Sequence, residues 1–302
     1  MVDLSDHVKT ARSMVLNKMR QININFPALK EIALKGVRRA AVFMGLGINA
    51  SADPNFKRYQ LTHITHIQIV ASDVGEEKVA EFKSEFSRWI VACGLRELTE
   101  TFSVFLDEAH RVCLWMAASS GEVRKADLTK CDKKFRRKGL KAKLESLERS
   151  FDVRLEEPEY LSSLNRARNC LAHRRGIVGP EDCGEPGVLL VRWRGFEVYG
   201  ETSSGERISV EPVLSGEGVI IQEGSVMKAG FPERRKEFAL NSVVTFSPRD
   251  LAEICLLFTT LTDQIIASAL EFAKKLGIPI MKFDQGAENE HLENDPEESE
   301  ND

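Results

Sequence analysis

The sequence predicts a mainly α protein: a helical bundle with a β-rich insertion before its last helix. Three observations predict it. Apolar residues recur at helical spacing from Glu76 to about Ala118, over Leu140–Phe151, along Leu161–Ala172, and from Leu251 to Leu276. Between the last two stretches, at about 187–246, the chain changes to short β-branched and aromatic runs separated by Gly, Ser and Pro. A chain of 302 residues with 42% hydrophobic residues also has enough apolar surface for a sizeable core.

Residues 1–72 are expected to form a mostly helical extension. Ser5–Met19 carries Val8, Ala11, Met14, Val15 and Met19 near helical spacing. Pro27 suits the first turn of a helix over Ala28–Leu34, and Gly45, Gly47 and Pro54 predict a loop after it. Thr62–Val70 alternates like a strand, and its His63 and His66 lack a third ligand, which argues against a metal site.

Residues 73–283 are expected to form the principal helical domain, with the β-rich insertion inside it. Asp73 is expected to cap its long helix. The apolar stripe Val79, Phe82, Phe86, Trp89, Ile90, Cys93, Leu98, Phe102, Phe105, Leu106, Ala109, Val112, Cys113 and Met116 reads as core, with a kink or break at Gly94. Asp107-Glu108-Ala109-His110 spells the signature of one helicase class. No Gly-x-x-x-x-Gly-Lys-Ser/Thr phosphate loop accompanies it, so that reading is rejected.

Residues 122–149 hold eleven Lys or Arg against five acids. Lys133, Lys134, Arg136 and Arg137 are either a surface that tracks phosphates or a solvated linker. Leu140, Leu144, Leu147 and Phe151 resume the bundle. Pro158 opens the next helix, with Leu161, Leu164, Ala167, Leu171 and Ala172 as its apolar stripe and Gly176 or Gly179-Pro180 at its end. Val188–Trp193, Phe196–Tyr199, Arg207–Val210, Val219–Ile221 and Val243–Phe246 are predicted to form β-hairpins, with a turn between Trp193 and Phe196. Ser247-Pro248-Arg249-Asp250 is a strong start for the last helix.

The net charge of −4 is misleading, because residues 284–302 hold nine acids and no Lys or Arg. Without that tail, 42 basic residues face 37 acids, so the body is mildly basic. A polar acidic tail of this kind is expected to be disordered. The six cysteines form no Cys-x-x-Cys pair, so neither zinc nor a disulfide framework is indicated, and no cofactor is expected. No secretory signal opens the chain and no run of 18 uncharged apolar residues occurs, which makes a cytoplasmic protein without a membrane partner the expectation.

Chemistry concentrates in residues 166–178, where Arg168-Asn169 is followed by three residues and His173. A guanidinium binds a pair of phosphate oxygens in a planar fork, and an imidazole gives or takes a proton near neutral pH. On a helix, Asn169 and His173 share a face, whereas Arg168 lies about 140° from His173. Either Arg168 bends round, or the helix meets a copy of itself across a two-fold axis. Arg174 and Arg175 would be phosphate contacts beside the site or cations complementing the helix C-terminus. Cys170 is expected to pack rather than react.

This motif, placed late in a helical bundle, resembles the mark of the HEPN family (higher eukaryotes and prokaryotes nucleotide-binding): Arg, then Asn, Asp or His, then three to five residues, then His. The resemblance covers residues 76–277 as an arrangement and about 13 residues as a motif. It implies an HEPN-like bundle acting as a metal-independent endoribonuclease on RNA, with Arg168, Asn169 and His173 catalytic and Arg166, Arg174 and Arg175 binding RNA. It also implies a homodimer with the two motif helices facing, and a toxin or anti-phage role with an antitoxin or regulator. Some HEPN toxins carry a modifiable Tyr two residues after the His; Arg175 stands there in this chain. Family members also include non-catalytic nucleotide- or RNA-binding modules, the alternative reading for this chain.

Overall fold

A computed structural model describes residues 24–55, 75–184, 187–209 and 225–279. Among them are six α-helices and a small antiparallel β structure before the last helix. The expected helix at Ser5–Met19, the Thr62–Val70 strand, the Val219–Ile221 strand and the acidic tail lie outside the described residues, as does Asp73.

The first helix, α1 (Phe26–Ala52), starts where Asn25 Oδ1 accepts a hydrogen bond from Ala28 N at 2.9 Å, with Pro27 in its first turn. It runs through Gly45 and Gly47 to Ala52, where the sequence predicts a loop. The correction has a packing cause. α1 lies antiparallel on α2 (Glu76–Ser119), and glycines on both sides let the backbones close. A Cβ on Gly47 would lie 2.6 Å from Ile90 Cγ1, and one on Gly36 would overlap the Thr101 side chain. Gly94, expected as a kink in α2, instead receives the Met44 side chain of α1, and the helix passes through it unbroken.

The 44-residue α2 is the spine of the fold. Its helix starts after Gly75. Leu98, Phe102, Phe105, Leu106, Ala109, Cys113 and Met116 are buried as the periodicity predicts, and Leu95 is buried with them. Its first half departs from that expectation: Phe86 is 37% exposed and Trp89 61% exposed, so neither is core.

Two short helices, α3 (Leu128–Arg136) and α4 (Leu140–Phe151), pack on the second half of α2. The four residues of the rejected helicase signature hold them there. Asp107 Oδ1 lies 2.7 Å from Nζ of the buried Lys143, an ion pair. Lys143 Nζ also donates to Ser103 O and Oγ at 3.1 and 2.7 Å. Glu108 faces Arg111 and Arg136. Ala109 is buried, and His110 stacks on Phe135 with ring centroids 3.7 Å apart.

After α5 (Pro158–His173) the chain forms β1 (Val188–Arg194), β2 (Glu197–Glu201), β3 (Arg207–Ser209), β4 (Val226–Gly230) and β5 (Glu233–Ala239). The expected β1–β2 hairpin is not formed. β1 pairs with β5, and β2 lies between β3 and β4. Arg194 faces Glu233, and three residues on Glu197 faces Gly230, so the register crosses Gly195–Phe196 without a slip. The two sheets are one long ribbon broken in the middle, where Pro232 has no N–H to donate. Val243–Phe246, expected as a strand, forms only a bridge from Val243 to Ile177. The ribbon buries Leu189, Val191, Trp193 and Phe238, and Trp193 Nε1 donates to Glu253 Oε2 of α6 (Pro248–Lys275) at 2.9 Å. Ser247 and Asp250 cap α6 reciprocally, as the sequence predicts. α6 is the one described helix long and apolar enough to cross a membrane, and its Ile254, Phe258 and Ile265 are buried in the bundle core.

Two predictions follow from this packing. Gly36→Ala should lower the melting temperature, because the atom nearest the new methyl is Thr101 Cβ, which is fixed to the α2 backbone and cannot turn away. Gly45→Ala, with nothing within 4 Å of its Cβ, should raise stability by about 1 kcal/mol through helix propensity. Equal shifts on thermal denaturation would contradict the close approach.

Burial first, then Lys138 and Lys143, push His110 down to about 4 from 6.5. The unfolded chain therefore takes up this proton at higher pH than the folded one, and stability falls as pH drops from about 6.5 to about 4, by on the order of 3 kcal/mol. Denaturant melts of His110→Leu across that window should lack this loss. A slope equal to that of the wild type would contradict it.

Candidate functional site

α5 begins at Pro158, whose missing N–H costs nothing in a first turn, and buries Tyr160, Leu161, Ser163, Leu164, Ala167, Cys170 and Leu171. Ser163 Oγ joins it to the outer edge of β1, donating to Arg192 O at 3.0 Å and accepting from Arg192 N at 3.0 Å. The other flank lies on α2. The motif helix is thus fixed on both sides, and its remaining face is open.

Arg168 turns toward α2. Its Nη1 donates to Asn169 Oδ1 at 2.8 Å, its Nη2 lies 3.4 Å from Glu100 Oε1, and its Nε is buried without a partner. The side chain is 21% exposed, so the guanidinium is held at the surface with unused donor capacity. His173, the last residue of α5, is exposed and makes no hydrogen bond or ion pair among the described residues. The structure therefore brings Arg168 and Asn169 together and does not join either to His173. Arg166 is exposed on the open face, two turns before His173.

The chain leaves the helix by a tight reversal. Gly176 N bonds back to Cys170 O at 3.2 Å, with Arg175 at φ 54° and Gly176 at φ 79°. Arg175 is exposed in a left-handed conformation that a side chain with a Cβ adopts at some cost. Arg174, expected beside it as a phosphate contact, has a different role. Its Nε donates to Asp182 Oδ2 at 2.7 Å, its Nη2 to Asp182 Oδ1, and its Nη1 lies 3.0 Å from Glu181. Asp182 is 2% exposed and also accepts from Gly179 N at 2.9 Å. Arg174 thus neutralises a buried carboxylate and is not free for a ligand. Cys170 packs as expected: burial, then the nearby Asp182, push its thiol up to about 12, and its Sγ donates to Ile177 O.

The other predicted cations lie elsewhere. Lys133, Lys134 and Arg136 on α3 and Arg137 at its end are exposed, and Arg136 is paired with Asp132 and Glu108. Glu108 is two turns of α2 beyond Glu100, a rise of about 12 Å, so this cluster is displaced from Arg168 along the spine.

One cation near the motif was not anticipated. Arg88 Cδ lies 3.9 Å from the position of a Cβ on Gly176, and its Nη1 donates to Ser84 Oγ at 3.1 Å, with no carboxylate partner among the described residues. The sequence hides it inside a stripe of apolar spacing. Neither of two surface cavities of about 200 Å³, one by Tyr160 and Arg194 and one between α1 and α6, is lined by the motif. Among the described residues no group of three or more His, Cys, Asp or Glu is arranged to hold a metal ion. No protein-family model matches the chain, and no curated protein or solved structure matches it significantly.

The two adjacent arginines should separate in a mutational test. Arg174→Met should cost about 3 kcal/mol or more of stability by leaving Asp182 buried and unpaired. Arg175→Gly should be neutral or mildly stabilising, because glycine relieves the positive φ. Urea melts of the two variants check this, and an unchanged midpoint for Arg174→Met would refute the structural role.

Proposed function

We propose that the chain is a metal-independent endoribonuclease of the HEPN type, working as a homodimer. The reaction is attack of a ribose 2′-hydroxyl on the adjacent phosphorus, with departure of the 5′-oxygen. His173 takes the proton from the 2′-hydroxyl or delivers one to the leaving oxygen, Arg168 binds the charge that grows on the phosphoryl oxygens, and Asn169 orients the guanidinium. The observation that carries this reading is the division of the motif helix: Arg168 is steadied by Asn169 with its Nε unpartnered, while His173 stands exposed and unpaired.

One helix does not aim both groups at one phosphate, since they are about 140° apart around its axis. A second copy across a two-fold axis would bring Arg168 of one protomer to His173 of the other. Arg166 and Arg175, both exposed, would hold flanking phosphates, and a toxin or anti-phage effector under an antitoxin or regulator is the proposed setting. The second reading, a non-catalytic RNA- or nucleotide-binding module, is favoured by the Glu100 contact, which already occupies one edge of Arg168.

His173→Ala and Arg168→Ala should each reduce RNA cleavage by about 10²-fold or more while leaving the fold intact. Cleavage should persist in excess EDTA and leave 2′,3′-cyclic phosphate and 5′-hydroxyl ends. Wild-type protein that binds RNA in a salt-sensitive manner but leaves it whole would decide for the binding module.

A further inference from the structure

We propose that Trp89, flanked by Arg88, is a stacking platform for an unpaired nucleobase next to the cleaved bond, so that the substrate is single-stranded RNA. This rests on the ribonuclease reading and adds to it the form of the substrate.

Trp89 is 61% exposed in the middle of a helix whose periodicity marks it as core. Phe86, one turn earlier, stacks against it with ring centroids 6.1 Å apart and an interplanar angle of 24°, so the indole is steadied rather than loose. Two contacts fix where this pair lies relative to the motif. Glu100 of α2 meets Arg168, and Arg88 of α2 lies beside Gly176, three residues past His173, its Cδ 3.9 Å from where a Cβ there would stand. The motif helix therefore runs antiparallel along this stretch of α2, with His173 beside its earlier part.

Trp89, Arg96 and Glu100 follow one another at seven and four residues, a single stripe of α2 that borders α5 through the Glu100–Arg168 contact. Arg88, about 100° round the helix from Trp89, is the side that faces Gly176, so the exposed indole lies on the solvent side of α2, one residue from the part that borders the end of α5.

The chemistry around the indole suits a nucleotide. A base has a π-face that an indole stacks on whatever its sequence, and its phosphate needs a cation. Arg88 supplies a guanidinium without a carboxylate partner among the described residues, and the exposed Arg175 supplies a second at the end of α5. A base inside a duplex is covered on both faces, which excludes a double strand from the platform. Val42, Phe43 and Leu46 of α1 and Ile177 after α5 are also exposed apolar residues, which makes a protein contact the competing occupant.

The test measures binding of a short fluorescein-labelled 2′-O-methyl RNA single strand, which lacks the nucleophile and stays whole, to the full chain by anisotropy. Trp89→Ala should weaken binding about tenfold or more, Trp89→Phe should stay within about threefold, and affinity for a 2′-O-methyl duplex should not change. Indole fluorescence should be quenched by the strand in the wild type and not in Trp89→Phe. Unchanged strand affinity in Trp89→Ala overturns the proposal, as does equal weakening for strand and duplex. Loss of self-association on sedimentation with unchanged strand affinity also overturns it, and assigns the patch to a protein contact. Wild type that fails to cut unmodified RNA yet binds the strand through Trp89 refutes the ribonuclease reading and leaves the platform standing.

Discussion

A helix of 44 residues is held by what packs against it, because propensity alone gives a helix little stability in water. Every other helix of the described chain lies on α2: α1 along its first half and middle, α5 and α6 over its middle, α3 and α4 over its end. Each fully buried Leu or Phe of its stripe contributes about 1.5–3 kcal/mol, so the spine and its neighbours stabilise one another. The polar contacts follow the same logic. Lys143, buried among Asp107, Ser103 and Phe135, and His110, stacked on Phe135, bind the short helices to the spine at sites where an unpaired charge would be costly.

The same spine shapes the motif. α5 is clamped between α2 and the edge of β1, and its end is closed by the Arg174–Asp182 pair and the left-handed turn at Arg175 and Gly176. A helix end held this firmly can present an exposed imidazole without fraying. The arrangement also separates neighbouring cations by role: Arg174 balances a buried acid, whereas Arg166 and Arg175 remain open. The guanidinium most engaged with the spine, Arg168, is steadied by Asn169 and Glu100.

Where burial and periodicity coincide, the sequence is legible: the stripe from Leu98 to Met116, the capped start at Ser247, and the proline-led start of α5 are all where the spacing puts them. Legibility fails where a residue serves a tertiary contact. Gly45 and Gly47 look like loop residues, yet Gly47 admits Ile90 and the helix continues. β5, Glu233–Ala239, is too charged to read as a strand, because Lys236 is matched by Asp250, and Arg234 by Glu197 and Glu253, only in the folded chain. Val243–Phe246 has strand composition but finds no partner beyond one bridge. At the motif, spacing alone gave the 140° offset of Arg168 from His173. Spacing could not separate Arg174 from Arg175, whose roles depend on an aspartate eight residues away, nor reveal that Trp89 is exposed.

The central claim is that the motif helix needs a second copy of itself to act, and complementation between two inactive chains tests it most directly. Arg168→Ala and His173→Ala proteins, each inactive alone, would be mixed under conditions that exchange protomers, and RNA cleavage would be followed. If each site joins Arg168 of one chain to His173 of the other, half of the dimers are mixed and each carries one whole site, so about a quarter of wild-type activity should return. No recovery, with exchange of protomers confirmed by labelled chains, would show that the two residues do not act together across an interface between copies.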